Sequence, residues 1–287
     1  MTNRTVLVTG GCGFIGYALT KELLLRGYEV DVIDNLSIGR EAKDVSELGA
    51  NFIGGDVRAM ENIPTKPYEY IFHLAALSRI QPSFKSPYTT FSVNVDGTKK
   101  VVEYAKKVEA KLIYAGSSSR HHNPELSPYA MSKHMGEEWI KMEKRIFGLK
   151  AEIARFYNVY GPGELVESNM SAVIGIWRSQ VEKNYPITII GDGEQRRDFT
   201  HIDDIVDGLI KVAESDEQHD DAWELGTGLN YSINEVANMF IKKFKCVKVY
   251  MSEQKGNYRE TIRFNDDAIT KLHWQPQDRL ENYIKSL

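Results

Sequence analysis

Tyr129 and Lys133 stand four residues apart in Tyr129-Ala130-Met131-Ser132-Lys133, a spacing that places two side chains on one face of a helix. An ammonium beside a phenol favours the phenolate, so the pair could take a proton from an alcohol near neutral pH. Twelve positions before Tyr129, Ser117 opens the run Ser117-Ser118-Ser119, which follows the apolar segment Leu112–Ala115. In a doubly wound sheet, ligands gather at the carboxyl ends of the strands. The Ser117 hydroxyl could therefore hold the same substrate oxygen as Tyr129. A Tyr-Lys pair alone equally suits the surface of an amphipathic helix.

A second constellation is Thr9-Gly10-Gly11-Cys12-Gly13-Phe14-Ile15-Gly16, between a predicted strand and a predicted helix. Glycines there allow a tight turn and let a pyrophosphate approach the helix N-terminus, where N–H groups and the dipole favour anions. The next strand ends in Asp34, 24 positions after Gly10. An acid at that place can accept from both ribose hydroxyls and favours NAD over NADP. Cys12 reads as a small loop residue.

The elements that must position these groups follow from apolar patterning. Strand candidates are Arg4–Thr9, Glu29–Ile33, Asn51–Ile53, Tyr70–Leu74, Lys111–Ala115 and Ala151–Phe156, several without alternation, as in strands buried on both faces of a parallel sheet. Amphipathic stretches Ile15–Leu25, Tyr88–Val108 and Pro128–Phe147 separate them. Repeated strand–helix–strand order predicts an α/β fold, a doubly wound parallel (Rossmann) sheet. After Gly161-Pro162-Gly163 the pattern loosens: helices are expected over Ser171–Glu182, Ile202–Ala213 and Ile233–Phe244, and a strand at Ile187–Ile190. The expected plan is a cofactor domain over 1–165 with a returning segment near 199–228, and a smaller C-terminal substrate domain over 166–198 and 229–287. A cleft between them is the default ligand site.

Composition narrows the class. The 287 residues carry 36 basic and 40 acidic side chains, net charge −4, with no basic block, which disfavours nucleic-acid binding. Two cysteines, Cys12 and Cys246, exclude a disulfide scaffold and suggest a reducing, cytoplasmic setting. No apolar run approaches a membrane span or a signal peptide.

Taken together, several motifs make the chain resemble the extended short-chain dehydrogenases: Gly10-x-x-Gly13-x-x-Gly16, Asp34-Asn35-Leu36-Ser37, Gly55-Asp56-Val57, His73-Leu74-Ala75-Ala76, Asn94-x-x-Gly97-Thr98, the serine run and Tyr129-x-x-x-Lys133. Arg155-Phe156-Tyr157-Asn158-Val159-Tyr160-Gly161-Pro162, Gly191-Asp192-Gly193-Glu194-Gln195-Arg196-Arg197-Asp198-Phe199 and Leu272-His273-Trp274-Gln275-Pro276 narrow this to the NAD-dependent epimerase/dehydratase family, in particular the UDP-glucose 4-epimerase-like nucleotide-sugar epimerases. The resemblance implies that Gly10, Gly13, Phe14, Ile15 and Gly16 line the pyrophosphate of NAD. It puts Asp34 and Asn35 at the adenosine ribose, Asp56 and Val57 at the adenine, Leu74, Ala75 and Ala76 along the cofactor, and Tyr157 by the nicotinamide. Ser117, Tyr129 and Lys133 become the catalytic set, with Ser118 in the sugar pocket. Asn158, Asn169 and Arg197 are implied at the diphosphate of a nucleotide-sugar substrate, a UDP-sugar first. A homodimer, formed by the helices read at Tyr88–Val108 and Pro128–Phe147, is implied as well.

Departures from the family pattern also carry expectations. The loop between Ser117 and Tyr129 is short and contains Arg120-His121-His122-Asn123. These adjacent histidines read as solvated, and no metal is expected. The second phosphate-binding arginine is not in its usual place before Gly256, so Lys255 or Arg259 is expected to substitute. Ser118 and Ser119 stand where dehydratases and decarboxylases of the family carry an acid, which favours epimerisation or keto reduction. Thr261 or Ile262 is expected to gate an N-acetyl group. The rival readings are a 4-keto-sugar reductase and a non-catalytic NAD-binding protein of the same fold.

Overall fold

The computed structural model describes residues 4–287; the first three residues of the expected cofactor domain lie outside the described residues. The apolar runs of the first half become parallel strands β1 (Thr5–Thr9), β2 (Glu29–Asp34), β3 (Asn51–Gly54), β4 (Tyr70–His73), β5 (Lys111–Ser117) and β6 (Ala151–Phe156). Between them run α1 (Phe14–Leu25), α2 (Ala42–Glu47), α3 (Ile80–Lys85), α4 (Pro87–Phe91), α5 (Gly97–Lys107) and α6 (Pro128–Phe147). The second half continues through β7 (Val159–Tyr160), α7 (Val173–Glu182), β8 (Ile187–Ile190), β9 (Arg196–Asp198), β10 (Thr200–His201) and α8 (Ile202–Glu214). It ends with β11 (Trp223–Leu225), β12 (Asn230–Ser232), α9 (Ile233–Phe244), β13 (Lys248–Met251), α10 (Asp267–Leu272) and α11 (Leu280–Ser286).

The central sheet has seven strands in the order β11-β6-β5-β4-β1-β2-β3, all parallel. The chain moves outward from β1 through β2 to β3, then returns to place β4 on the other side of β1. That reversal opens a crevice at the carboxyl ends of β1 and β4, where open α/β sheets take their ligands. One face is packed by α1 and α8 through Leu19, Leu23, Ile205 and Leu209. The other is packed by α5 and α6 through Val101, Val102 and Ile140 against Leu7, Ile71 and Leu112. Covering both faces explains why these strands lack polar alternation. A third core, with Trp177, Ile187, Ile189, Phe240 and Ile284, belongs to the second half. There β8–β13, β9–β12 and β7–β10 form small two-stranded sheets.

The single helix expected over Tyr88–Val108 runs on through residues 87–107 with one local widening. A wide π-type turn at Ser92–Asp96 lies between α4 and α5, a device common at functional sites. It carries the buried Asn94, whose side chain accepts from Leu77 N at 2.8 Å and donates to Leu77 O at 3.0 Å and Ser132 Oγ at 2.9 Å. This one amide ties the loop after β4 to the helical turn between Tyr129 and Lys133. Among the described residues, no helix is long and apolar enough to cross a membrane.

Candidate active site

The turn after β1 shows what each glycine does. Gly10 has φ +74°, and a Cβ there would stand 2.7 Å from Ala75 N. At Gly16 a Cβ would meet Gly10 O at 2.1 Å, so this glycine lets α1 close onto the turn. Gly13 is different: it caps α1, lines the cavity, and its Cβ would meet only Gly10 O, at 3.2 Å. No side chain caps the first turn of α1 and no acid lies in it. Its N–H groups therefore remain for a ligand anion.

At the end of β2, the Asp34 carboxylate accepts from Cys12 N at 3.0 Å and Leu36 N at 2.8 Å. Burial pushes its pKa up, against these backbone bonds. Cys12 is wholly buried, a packing residue of this turn. Asn35 donates to Asp56 at 2.9 Å, and Arg58 holds Asp56 well below the usual carboxylate range. These groups fit a dinucleotide: an uncapped helix end for the pyrophosphate and an acid at the ribose position.

The reacting end lies at β5 and α6. Ser127 caps α6 by accepting from Ala130 N at 3.1 Å, and Pro128 follows in the first turn, where a missing N–H costs nothing. Tyr129 Oη then donates to Ser117 Oγ at 3.1 Å. Burial pushes the Tyr129 phenol up, while the Ser117 bond and the Arg79 charge pull it down. Lys133 lines the same cavity. Its Nζ donates to Ala115 O at 2.5 Å and lies 4.4 Å from the centre of the Tyr114 ring. Burial pushes it down to about 8. Lys133 thus ties α6 to β5, and Ser117 and Arg79 pull the Tyr129 phenol down.

One cavity of about 770 Å³ joins the two ends. Its lining includes Gly10, Gly13, Phe14, Ile15, Gly16, Asp34, Asn35, Asp56 and Val57 at one end. Leu74, Ala75, Ala76, Ser117, Ser118, Tyr129 and Lys133 continue it, and Asn158, Asn169 and Arg197 reach it from the second half. Among the described residues, Arg197 donates only to the Arg196 carbonyl, at 2.8 Å, and burial pushes its guanidinium down to about 10. Asn158 donates to Asp198 O at 3.0 Å and to Thr261 Oγ1 at 3.2 Å, so Thr261 faces the cavity while Ile262 is exposed.

Two expected residues lie elsewhere. Tyr157 is fully buried outside the lining, its phenol bonded to Glu224, because the Glu224 carboxylate inside the sheet edge needs donors. Arg259 is exposed and pairs with Asp192 at 2.9 Å, outside the cavity; Lys255 does not line it either. The loop histidines are not solvated as expected. His121 stacks on Phe264 and lies 2.9 Å from Glu224, and His122 stacks on Tyr258 with ring centres 3.9 Å apart. The short loop is thereby fastened to the C-terminal segment by aromatic contact. Among the described residues, no three His, Cys, Asp or Glu side chains gather as a metal site.

Pattern reading missed the supports behind the site. Arg155 in β6 pairs with Glu137 of α6 at 2.7 Å and with Glu224 of β11 at 2.9 Å, and Glu137 also accepts from Ser117 N at 3.4 Å. Glu137 lies one turn beyond Lys133, so a heptad-like extension of the Tyr-Lys spacing was its only signal. Arg79, Glu164 and Tyr258 line the cavity but carry no motif.

Comparison with known proteins agrees with this geometry. The model of the NAD dependent epimerase/dehydratase family matches residues 6–226. A curated relative, a putative UDP-glucose 4-epimerase of Methanocaldococcus jannaschii, is 30% identical across 98% of this chain and 96% of its own. The crystal structure of the Thermotoga maritima UDP-glucose 4-epimerase with UDP-glucose superposes with a TM-score of 0.90, at 28% identity, over 98% of this chain and 96% of that one. That of the Bacillus cereus UDP-glucuronic acid 4-epimerase, with UDP-glucuronic acid and NAD, gives 0.87 at 25% identity, over 98% and 96%. Decarboxylases are also among the curated relatives.

Proposed function

The chain belongs to the NAD-dependent epimerase/dehydratase family, and from that premise we propose that it is a nucleotide-sugar 4-epimerase, inverting C4 of a UDP-hexose through a transient 4-keto sugar. The observation that carries this reading is the 3.1 Å bond between Tyr129 Oη and Ser117 Oγ, inside the cavity that also holds the glycine turn and Arg197. Serines at 118 and 119 leave no acid at the two positions after Ser117 for water or carbon dioxide loss, and Glu137, near Ser117 N, is paired with Arg155.

NAD would be held by Gly10, Gly13, Phe14, Ile15 and Gly16, by Asp34 and Asn35, by Asp56 and Val57, and along Leu74, Ala75 and Ala76. Its chemistry is to accept a hydride from the sugar and return it. Tyr129 takes the proton of the C4 hydroxyl and later gives it back. Ser117 holds that oxygen in line, and such positioning supplies much of the rate. Lys133 fixes the helix that carries Tyr129. Arg197, with Asn158 and Asn169, grips the diphosphate so that the keto sugar can turn over without leaving. Tyr157 and Arg259 have no part in this set.

In this reading the cofactor domain spans 1–165 and 199–228, and the remainder shapes the sugar pocket. Exposed Phe84, Tyr88 and Met135, on the mutually packed α3, α4 and α6, would meet a second copy; a monomer by sedimentation at micromolar concentration removes that contact. Tyr129→Phe is expected to abolish turnover, by at least about a thousandfold, while the variant still purifies with bound NAD. Near-wild-type C4 inversion by this variant would refute the assignment.

A further inference from the structure

Two arginines line the cavity, Arg79 and Arg197. A diphosphate accounts for Arg197. Arg79, between β4 and α3, donates through Nε to Met170 O at 2.8 Å and through Nη1 to Ser78 O at 3.2 Å. Among the described residues, no carboxylate pairs with it. Arg79 is half-buried at the cavity wall; backbone carbonyls satisfy hydrogens but do not cancel a unit charge, and a partly buried charge without a counter-ion carries a cost. Burial accordingly pushes the Arg79 guanidinium below its usual range.

The one carboxyl that feels Arg79 in this part of the cavity is Glu164. Its Oε1 is taken by the Tyr283 phenol at 2.9 Å and lies 3.7 Å from Arg178, and burial pushes it up to about 7. A carboxyl that is half protonated near neutrality and already facing Arg178 does not neutralise a second arginine.

Placement gives the rest of the argument. The Arg79 carbonyl accepts from Ser83 N at 3.3 Å, and Ser83 Oγ accepts from Tyr129 N at 3.1 Å. One helical turn and one hydrogen bond thus link the Arg79 backbone to that of the residue assigned to the C4 oxygen, and the Arg79 charge is close enough to pull the Tyr129 phenol down. In a uronate, the carboxylate is carried by C5, the neighbour of C4. It would fall beside Tyr129, within the reach of a guanidinium that can take it in a two-pronged contact.

We propose that Arg79 selects a nucleotide sugar bearing a carboxylate on its hexose, such as a uronate, over a neutral hexose. This rests on the nucleotide-sugar reading above and narrows its substrate. Arg79 is then a specificity residue that touches the sugar, while Arg197 touches the diphosphate.

The test titrates the NAD-loaded, full-length protein calorimetrically with UDP-glucuronate and with UDP-glucose, and follows C4 inversion of each. The wild-type protein is expected to favour the uronate by about a hundredfold, the scale of a charge-assisted contact. Arg79→Leu reduces that ratio to a few-fold, and Arg79→Lys keeps part of it. Because the readout is a ratio, any loss shared by both sugars, through folding or through Tyr129, cancels. A wild-type protein that binds both sugars equally overturns the proposal without any variant. So does a uronate preference that survives Arg79→Leu, which would make Arg79 a clamp on Met170 or a second diphosphate ligand. If an Arg79-dependent preference appears without C4 inversion, the assigned reaction fails and the substrate assignment stands.

Discussion

Arg155 is buried in the sheet and Arg197 is half-buried at the cavity wall, and their surroundings differ completely. Arg155, in the sheet, meets Glu137 at 2.7 Å, Asp221 at 2.7 Å and Glu224 at 2.9 Å, and its guanidinium is held above the usual range. Arg197, in the second half, meets one backbone carbonyl and is held down to about 10. His73, in β4, shows a third arrangement: it stays neutral between Thr9 at 2.8 Å and Thr98 at 3.0 Å, its pKa pushed down to about 3 by burial. The Arg155 network is electrostatically complete without a ligand. Arg197, like Arg79 in the same cavity, is a cation whose counter-charge arrives with the substrate.

The strongest way to break this comparison is Arg155→Met. It leaves Glu137 and Glu224 buried without their cation, and removing one partner of such a network costs about 3–5 kcal/mol. Urea denaturation measures it; a loss below about 1 kcal/mol would mean the network contributes little to holding α6 against β5 and β6. Arg197→Leu should behave in the opposite sense. Folding stability stays level or rises, because an uncompensated charge is gone, while affinity for UDP falls about 10- to 100-fold. A variant equally destabilised and equally able to bind UDP would erase the distinction.

The His73 effect appears only as the pH falls. Its folded pKa of about 3 lies below the ordinary 6.5, so the unfolded chain binds the extra proton first. Stability contributed by the neutral ring is therefore full above pH 6.5 and declines as pH falls toward 3, by up to about 1.4 kcal/mol per pH unit. Urea midpoints between pH 4.5 and 7 should show that slope, and His73→Gln should flatten it. An unchanged slope in the variant would place the titration elsewhere.

How much of this was legible beforehand follows from the same division. The glycine turn, Asp34 and the Tyr129–Lys133 helix are written locally, because tight turns and i, i+4 faces demand particular residue types at fixed spacing. The strands were legible because burial on both faces leaves uninterrupted Val and Ile. The widening at Ser92–Asp96 was not, since Asn94 earns its place through contacts with Leu77 and Ser132, far away in sequence. Arg79, Glu137 and Glu164 escaped for the same reason: an isolated charged residue reads as surface until the fold encloses it. Tyr157 was misplaced because its motif fixes the backbone, while Glu224, nearly seventy residues on, decides where the phenol points. His121 and His122 read as solvated because their aromatic partners, Phe264 and Tyr258, come from the C-terminal segment.

Proton NMR of UDP-glucose and UDP-glucuronate, each incubated with catalytic amounts of the NAD-loaded protein, tests the central assignment most directly. Inversion at C4 is expected, with the sum of the two epimers constant, the carbon skeleton intact and no net change in NAD. Accumulation of a pentose or of a dehydrated keto sugar, or unchanged spectra for every nucleotide sugar tried, would contradict it.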